Sequence, residues 1–273
     1  MVGLEDSKIE SENMVTEGKS YAKLGKYKDA ISFFEKALRS DPSNADALYN
    51  KGLSLIQMNK IKDATGCFEK ILQRHPDHIL ALNSLGNLFA EQNQYEKAMA
   101  FFQRALKSDS DHVPVLYNMG IAKVGAGQYE DALGCFNRVL EMEPENTSAL
   151  YFKGLVLGKQ KKYADSLPCF DAVLVREPDN FEALFYKGAS LAELGRNEEA
   201  IDLFDKVLIN TPRNGTVIYS KARCKAHIGE VTESLELLAQ AISYYGKTIR
   251  GWALKDSSFE KLKNDPRFKA IVK

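Results

Sequence analysis

A glycine recurs every 34 residues along most of this chain. The series runs through Gly18, Gly52, Gly86, Gly120, Gly154 and Gly188, and the next step reaches Ala222. A fixed period of this length, kept without insertion or deletion, is typical of proteins that stack copies of one structural unit. The period therefore predicts a tandem array in which each copy packs against its neighbours.

Other positions keep the same period and define the repeated unit. A small residue lies twelve positions after each glycine or its equivalent, at Ala30, Ala64, Ala98, Ala132, Ser166, Ala200 and Ser234. A large apolar residue follows four positions later, at Phe34, Phe68, Phe102, Phe136, Phe170, Phe204 and Leu238. The register holds from Ser11 to Thr248 and gives seven repeats: 11–44, 45–78, 79–112, 113–146, 147–180, 181–214 and 215–248.

Each repeat is predicted to be a pair of helices joined by a short turn. Apolar residues recur at helical spacing in two stretches, separated by a residue type that accepts the left-handed conformation after a helix end. These turn residues are Gly25, Asn59, Asn93, Gly127, Gly195 and Gly229, with Lys161 as the exception. A proline near the end of most repeats stops the second helix, because proline cannot continue one. The predicted fold class is all-α, with tandem antiparallel helical hairpins.

The motif residues resemble a known family. In repeat 2, the signature W-x2-L-G-x2-Y, A-x3-F and P of the tetratricopeptide repeat (TPR) is matched by Leu48, Gly52, Leu55, Ala64, Phe68 and Pro76. The resemblance extends over residues 11–248. It implies a right-handed superhelical α-solenoid whose first helices line a concave groove. Glycine inside a helix costs about 1 kcal/mol relative to alanine, so we expect the glycine and the small residue twelve positions later to lie where the two helices press together.

The two ends fall outside the repeats. The first ten residues are polar, and residues 1–10 are expected to be a flexible N-terminal segment. Residues 249–273 mix apolar residues with many charges, and we expect them to form C-terminal capping helices that cover the apolar end of the stack. Trp252 falls on the register of the repeat and is expected to pack in the core.

Composition excludes several classes of function. The 273 residues carry 37 basic and 37 acidic side chains without a basic cluster, which argues against nucleic-acid and membrane-surface binding. The acidic start does not resemble a secretory signal, and four scattered cysteines predict buried thiols in a reducing cytoplasm. With no phosphate-binding or nucleophile motif, we expect no enzymatic activity and no cofactor. A metal site at His75 and His78 is a minor alternative.

The resemblance to TPR proteins also assigns candidate binding residues. In that family, positions 2, 5, 6, 9, 12 and 13 of each repeat face the groove, and here the centre of this strip holds Tyr, Asn, Phe, Leu and Ile. Asparagine amides offer a donor and an acceptor to a peptide backbone, and aromatic rings offer rigid contact area. The peptide-binding candidates are Tyr49, Asn50, Leu53, Asn83, Asn87, Tyr117, Asn118, Ile121, Tyr151, Phe152, Phe185 and Tyr186.

The favoured function is a protein-interaction scaffold that holds an apolar or amphipathic segment of a partner, either extended or helical. The alternative is a self-assembly module that forms homo-oligomers through the groove or the end faces. Family members that bind chaperone C-termini carry a two-carboxylate clamp of Lys, Asn and Arg at set positions, and no three consecutive repeats here supply it. Lysines at Lys51, Lys153, Lys187 and Lys221 are expected to lay their stems on the hairpin and keep the ammonium in water.

Overall fold

The computed structural model describes residues 2–273, with side chains described from Ser7 onward. Residues 2–273 contain helices and short connections and no β-strand. The seven hairpins are α1 (Val2–Lys23) with α2 (Tyr27–Ser40), α3 (Ala45–Gln57) with α4 (Ile61–Arg74), α5 (Ile79–Glu91) with α6 (Tyr95–Ser108), α7 (Val113–Gly125) with α8 (Tyr129–Met142), α9 (Thr147–Lys159) with α10 (Tyr163–Arg176), α11 (Phe181–Glu193) with α12 (Asn197–Asn210), and α13 (Gly215–Ile228) with α14 (Val231–Tyr245). A short α15 (Lys247–Ala253), a 3₁₀-helix (Ser257–Leu262) and α16 (Pro266–Val272) follow.

The hairpins fall into two compact units. The N-terminal unit ends at Met142 and contains α1 to α8, whereas the C-terminal unit spans Glu143–Lys273 and contains α9 to α16. Within each unit, consecutive helices pack side by side. This is the α-solenoid of helical hairpins that the 34-residue period predicts.

Recurring polar residues set the helix boundaries. The last residue of most repeats caps the next first helix, because its side chain accepts a hydrogen bond from the backbone N–H three residues on. Asn44 and Asn180 accept from Ala47 and Ala183 at 2.9 Å, and the Nδ1 atom of His78 replaces the amide oxygen at 3.2 Å. The residue in the turn of every hairpin has a positive φ. In four hairpins it is a glycine, and in the other three it is Asn59 (58°), Asn93 (58°) or Lys161 (61°).

The core of each hairpin is built around one phenylalanine. The rings of Phe34, Phe68, Phe102, Phe136, Phe170 and Phe204 are fully or almost fully buried. They lie against the recurring glycine of the same repeat, so that a Cβ atom on Gly52 would meet Cε1 of Phe68 at 2.6 Å. The glycine and the small residue twelve positions later are both buried within the hairpin, and the group that lies closest to the glycine is the phenylalanine ring.

At the N-terminal end, the first helix extends into the segment that precedes the repeats. Where a flexible segment is expected at residues 1–10, α1 begins at Val2; residue 1 lies outside the described residues. Hydroxyl groups attach the start of α1 to α2: Ser7 donates to the carbonyl of Ser40 at 2.6 Å, and Ser11, the first residue of repeat 1, donates to the carbonyl of Ala37 at 3.0 Å.

At the other end, the capping helices pack on α13 and α14, with Phe259 and Phe268 buried. The prediction that Trp252 is a core residue is wrong, since its residue surface is 44% exposed. Ile249 and Ala253, one helical turn apart, occupy the buried side of α15 instead. The Trp252 ring lies on the edge of this core, 5.6 Å from the ring of Tyr219.

Candidate protein-binding surface

Four of the aromatic residues at position 5 of the repeats are half-buried, and each packs against the core phenylalanine of its own repeat. Ring centroids lie 5.8 Å apart for Tyr49 and Phe68, and 5.9 Å apart for Phe185 and Phe204. The same contact measures 6.2 Å for Tyr117 and Phe136 and 6.3 Å for Tyr151 and Phe170. These four predicted binding residues therefore also stabilise the hairpins.

The asparagine amides of the N-terminal unit are partly used within the protein. Asn50 donates through Nδ2 to the carbonyl and the carboxylate of Asp46 at 2.8 and 2.7 Å. Asn118 donates through Nδ2 to Oδ1 of Asn83 at 3.1 Å, which links the first helices of repeats 3 and 4. This pairing uses only one donor of Asn118 and leaves the Nδ2 donors of Asn83 for another hydrogen-bonding group.

A cavity of about 330 Å³ opens beside this pair, between α5 and α7. Among the predicted residues, Asn87, Asn118 and Ile121 line it. The hydroxyl of Tyr95, also in the lining, donates to Oδ1 of Asn93 at 2.8 Å. The cavity therefore combines an apolar wall with amide groups. Leu53, predicted for the same strip, is 37% exposed on α3.

The C-terminal unit holds three further cavities along its first helices. One of about 170 Å³ lies between α9 and α11, where Gly158 and Ala189 leave space beside Tyr186. A second, also about 170 Å³, is lined by Tyr151, Phe152 and two carboxylates. A third, of about 510 Å³, is lined by Phe185 and Tyr186 together with residues of α12 to α14. The structure thus brings four of the predicted aromatic residues to neighbouring cavities of one unit.

Contacts between the aromatic rings connect these predicted residues. Tyr151 and Phe152 meet edge to face at 5.3 Å, as do Phe185 and Tyr186 at 5.2 Å. Tyr151 and Tyr186, on adjacent first helices, lie 6.0 Å apart. Edge-to-face pairs hold the rings in set orientations, so this surface is largely formed before any ligand arrives.

Sequence reasoning missed several residues of the largest cavity. Phe181 and Tyr245 both line it, and both are exposed, to 36% and 51% of the residue surface. They lie at positions 1 and 31 of their repeats, outside the positions that the family resemblance assigns to binding. The available signal was their departure from the repeat pattern: no other repeat has Phe, Tyr or Trp at either position.

Several charged residues of the first helices form ion pairs within the protein. Lys19 pairs with Asp46 at 2.5 Å, and Arg223 pairs with Glu193 at 3.0 Å and with Asp256 at 2.7 Å. Three of the recurring lysines pair with an acidic residue of the preceding repeat: Lys51 with Glu35 (2.7 Å), Lys187 with Asp171 (2.5 Å) and Lys221 with Asp205 (2.6 Å). These lysines join neighbouring repeats, which the sequence-based interpretation did not foresee.

One carboxylate at the second small cavity, that of Glu177, accepts hydrogen bonds from neighbouring side chains. Hydrogen bonds from Asn180 and Thr147 lower the pKa of Glu177 below its ordinary value, which favours the ionised carboxylate. Asn180 donates to Glu177 at 2.7 Å. Among the described residues, His, Cys, Asp and Glu side chains form no group of three or more that could hold a metal ion. What the surface offers is apolar contact area, amide groups and carboxylates.

Comparisons with known proteins agree with this architecture. Family profiles described as tetratricopeptide repeat match residues 49–113, 153–215 and 89–155, and one described as TPR repeat matches residues 18–59. Comparison with curated proteins found no match. Within residues 2–273, no helix is both long and apolar enough to cross a membrane.

Solved structures of similar fold include several TPR proteins. A tetratricopeptide repeat protein from Parabacteroides merdae is 20% identical with a TM-score of 0.65, covering 90% of this chain and 98% of its own. PilW, a type IV pilus biogenesis factor, is 22% identical with a TM-score of 0.69, covering 74% and 94%. YrrB, described as a TPR protein with an unusual peptide-binding site, is 26% identical with a TM-score of 0.60, covering 69% and 98%. By its repeats, its fold and the profiles that match residues 18–215, the chain belongs to the tetratricopeptide repeat family.

Proposed function

We propose that this protein is a non-enzymatic scaffold that binds an apolar or amphipathic segment of a partner protein along the first helices of its repeats. The TPR fold itself supports a protein-interaction scaffold in general. The observation that carries the more specific proposal is that seven of the twelve predicted residues line cavities: Asn87, Asn118, Ile121, Tyr151, Phe152, Phe185 and Tyr186. Mixed apolar and hydrogen-bonding walls are typical of ligand sites.

The peptide-binding site in the name of YrrB supports the same class of ligand. We also propose that the scaffold works in the cytoplasm, because its four cysteines are free thiols buried in the repeats. Burial raises the pKa of Cys67, Cys135 and Cys169, which keeps these thiols protonated and unreactive.

The binding surface is tested most cleanly in the N-terminal unit. Tyr117 packs on Phe136, so its removal would also weaken the hairpin. Asn87 and Ile121 both line the cavity and are only partly buried, so their removal should disturb the hydrophobic core less than removal of Tyr117. We expect the double substitution Asn87→Ala with Ile121→Ala to reduce capture of the partner from a native lysate about tenfold or more, as measured by quantitative mass spectrometry.

A matched control lies on the second helix of repeat 4. Asn137 and Glu141 are exposed residues of α8 away from the cavity, and Asn137→Ala with Glu141→Ala should capture the partner as the wild type does. Equal capture by the wild type and the cavity variant, with both folded by circular dichroism, would contradict binding at this surface.

Self-association is the second candidate function. Its specific support is the exposed apolar surface at the C-terminal end, where Trp252 and Leu254 are about half exposed. Light scattering over a concentration series tests it. A mass that rises with concentration in the wild type and stays at one chain in a Trp252→Ser variant is expected for an end-face interface, and a single-chain mass throughout would exclude it.

A further inference from the structure

The cavity of about 510 Å³ in the C-terminal unit is unusually aromatic. Four rings line it, from Phe181, Phe185, Tyr186 and Tyr245. Two of these residues, Phe181 and Tyr245, are exposed over 36% and 51% of their surface. Leaving aromatic surface in water forgoes about 25 cal/mol for each Å² that burial would remove from it. Exposed aromatic residues gathered at one cavity are typical of a binding site.

Departures from the repeat pattern build this cavity. Position 1 holds Ser11, Ala45, Ile79, Val113 and Thr147 in the first five repeats. In repeats 6 and 7 it holds Phe181 and Gly215. A Cβ atom on Gly215 would overlap the ring of Tyr245, so the glycine is what allows that ring to lie beside the start of α13. Phe181, Gly215 and Tyr245, which all depart from the repeat pattern, therefore shape the same cavity.

The charged residues that line the cavity have a single sign. Glu182 is the one charged residue in the described lining of the large cavity, and it also lines the neighbouring cavity of about 170 Å³ with Glu177. Neither lining, as described, includes a lysine or an arginine. The two cavities thus form one acidic and aromatic surface, which we call the Glu182 surface: Tyr151, Phe152, Glu177, Phe181, Glu182, Phe185, Tyr186 and Tyr245.

We propose that the Glu182 surface binds a basic segment of the partner protein and seats one lysine or arginine side chain in the large cavity. Aromatic faces attract cations through their quadrupoles, and the methylene stem of a lysine or arginine packs on the same rings. The carboxylate of Glu182 belongs to the lining of the same cavity and would pair with the cationic group. An acidic segment would meet two carboxylates instead, so the surface also discriminates against the wrong charge.

This inference rests on the proposed function and adds the charge of the bound segment. It differs from a carboxylate clamp, which uses basic residues of the repeats to hold an acidic terminus. Here the protein supplies the carboxylates and the aromatic rings, and the partner supplies the cation.

The test uses the full chain and a random library of twelve-residue peptides displayed on phage. We expect peptides selected by the wild type to be enriched in lysine or arginine among apolar residues. Glu182→Gln should remove the basic enrichment and retain the apolar one. For one selected peptide, Glu182→Gln should weaken binding about fivefold or more in low salt. The matched control Glu236→Gln removes an equal charge from an exposed position on α14 and should bind as the wild type does.

The outcomes separate the two proposals. Selection of apolar peptides without basic residues would overturn the basic partner and leave the proposed function standing. Selection of no peptide by the wild type would overturn both. Equal affinity of the wild type and Glu182→Gln for the selected basic peptide would also overturn the assignment to Glu182. A Tyr245→Ser variant provides a second readout, because it removes an exposed ring of the same cavity without changing charge.

Discussion

The Cα atom of Gly52 lies so close to the ring of Phe68 that an added Cβ would meet Cε1 at 2.6 Å and Cζ at 2.7 Å. The Phe68 ring is fully buried and packs in the core with Leu48, Leu55 and Ala64. At each of the other five glycines of the series, an added Cβ would likewise overlap the phenylalanine ring of the same repeat. Close contact between the two helices of each hairpin therefore depends on a missing side chain, and the core phenylalanine fills the space.

Gly52→Ala is expected to destabilise the protein. Alanine would gain about 1 kcal/mol of helix propensity, but overpacking a filled core costs about 1–3 kcal/mol, and the ring has no open space to enter. We expect the midpoint of urea unfolding to fall.

Gly66→Ala provides the matched control in the same repeat. Gly66 lies in the interior of α4, and an added Cβ there meets no atom within 4 Å. The propensity gain should then act alone and stabilise the protein by up to about 1 kcal/mol. A rise in stability for both variants would show that the contact with Phe68 costs little.

Lys161 occupies a backbone conformation that suits glycine or asparagine. Its φ is 61°, close to the 58° of Asn59 and Asn93 at the same position of other repeats. A left-handed conformation costs an ordinary L-residue about 1–2 kcal/mol, and asparagine tolerates it better. We expect Lys161→Asn to stabilise the C-terminal unit by about 0.5–1 kcal/mol, measured by chemical unfolding.

The reverse exchange serves as the control. Asn59→Lys places the same side chain in the same conformation within the N-terminal unit and should cost a similar amount. If Lys161→Asn proved neutral while Asn59→Lys destabilised the protein, the lysine in repeat 5 would have to gain a compensating contact in the folded state.

His78 makes the start of α5 sensitive to pH. Its Nδ1 atom accepts the capping hydrogen bond from the backbone of Ala81 at 3.2 Å, so this nitrogen must be unprotonated. Burial lowers the pKa of His78, and the neighbouring His75 lowers it further, although Asp46 acts in the opposite sense. Since the unfolded chain then binds a proton more readily than the folded chain, stability is full above the ordinary histidine pKa of about 6.5 and is lost as pH falls through the folded pKa.

His78→Asn isolates this effect, because asparagine caps the equivalent helices in repeats 2, 5, 6 and 7. We expect the variant to match the wild type at pH 8 and to lose less stability than the wild type between pH 7 and pH 5. His75→Asn is the control for the neighbouring charge, because His75 is exposed and caps no helix through its side chain. Parallel pH profiles for wild type and His78→Asn would contradict the capping role.

The repeat architecture was predictable because its determinants are local and recur. Helical spacing, turn residues such as Asn59, and capping residues such as Asn44 each act within a few positions of the chain, and seven copies reinforce one another. The packing partner of Gly52 was not predictable from periodicity alone. Both Ala64 and Phe68 follow it at helical spacing, and only the geometry of the hairpin shows that the ring needs the space.

The candidate surface was less predictable. Family positions identified Phe185 and Tyr186, whose side chains line the largest cavity. They omitted Phe181 and Tyr245, because these residues lie at positions 1 and 31, where the other repeats have no Phe, Tyr or Trp. Tyr245 belongs to α14, and its ring reaches the cavity only because Gly215 makes room, which is a contact between residues 30 positions apart.

Asp256 holds the C-terminal cap against the last repeat. Its carboxylate accepts hydrogen bonds from the backbone of Ser258 and the hydroxyl of Tyr219, both at 2.8 Å, and pairs with Arg223 at 2.7 Å. Burial by itself would raise the pKa of Asp256, but these hydrogen bonds and the Arg223 charge outweigh burial and lower it. A folded pKa below the unfolded one means that this contribution is present above about pH 4 and is lost as pH falls through the folded pKa.

We expect Asp256→Asn to weaken the cap by about 1–3 kcal/mol, because hydrogen bonds to a buried charge are lost or reversed. Amide hydrogen exchange by mass spectrometry should then speed up in residues 257–272, with little change in α9 and α10. Glu260→Gln is the control: this carboxylate pairs with Lys263 on the surface, where such pairs contribute about 0.5 kcal/mol or less. Unchanged exchange in Asp256→Asn would mean that Phe259 and Phe268 hold the cap by apolar packing alone.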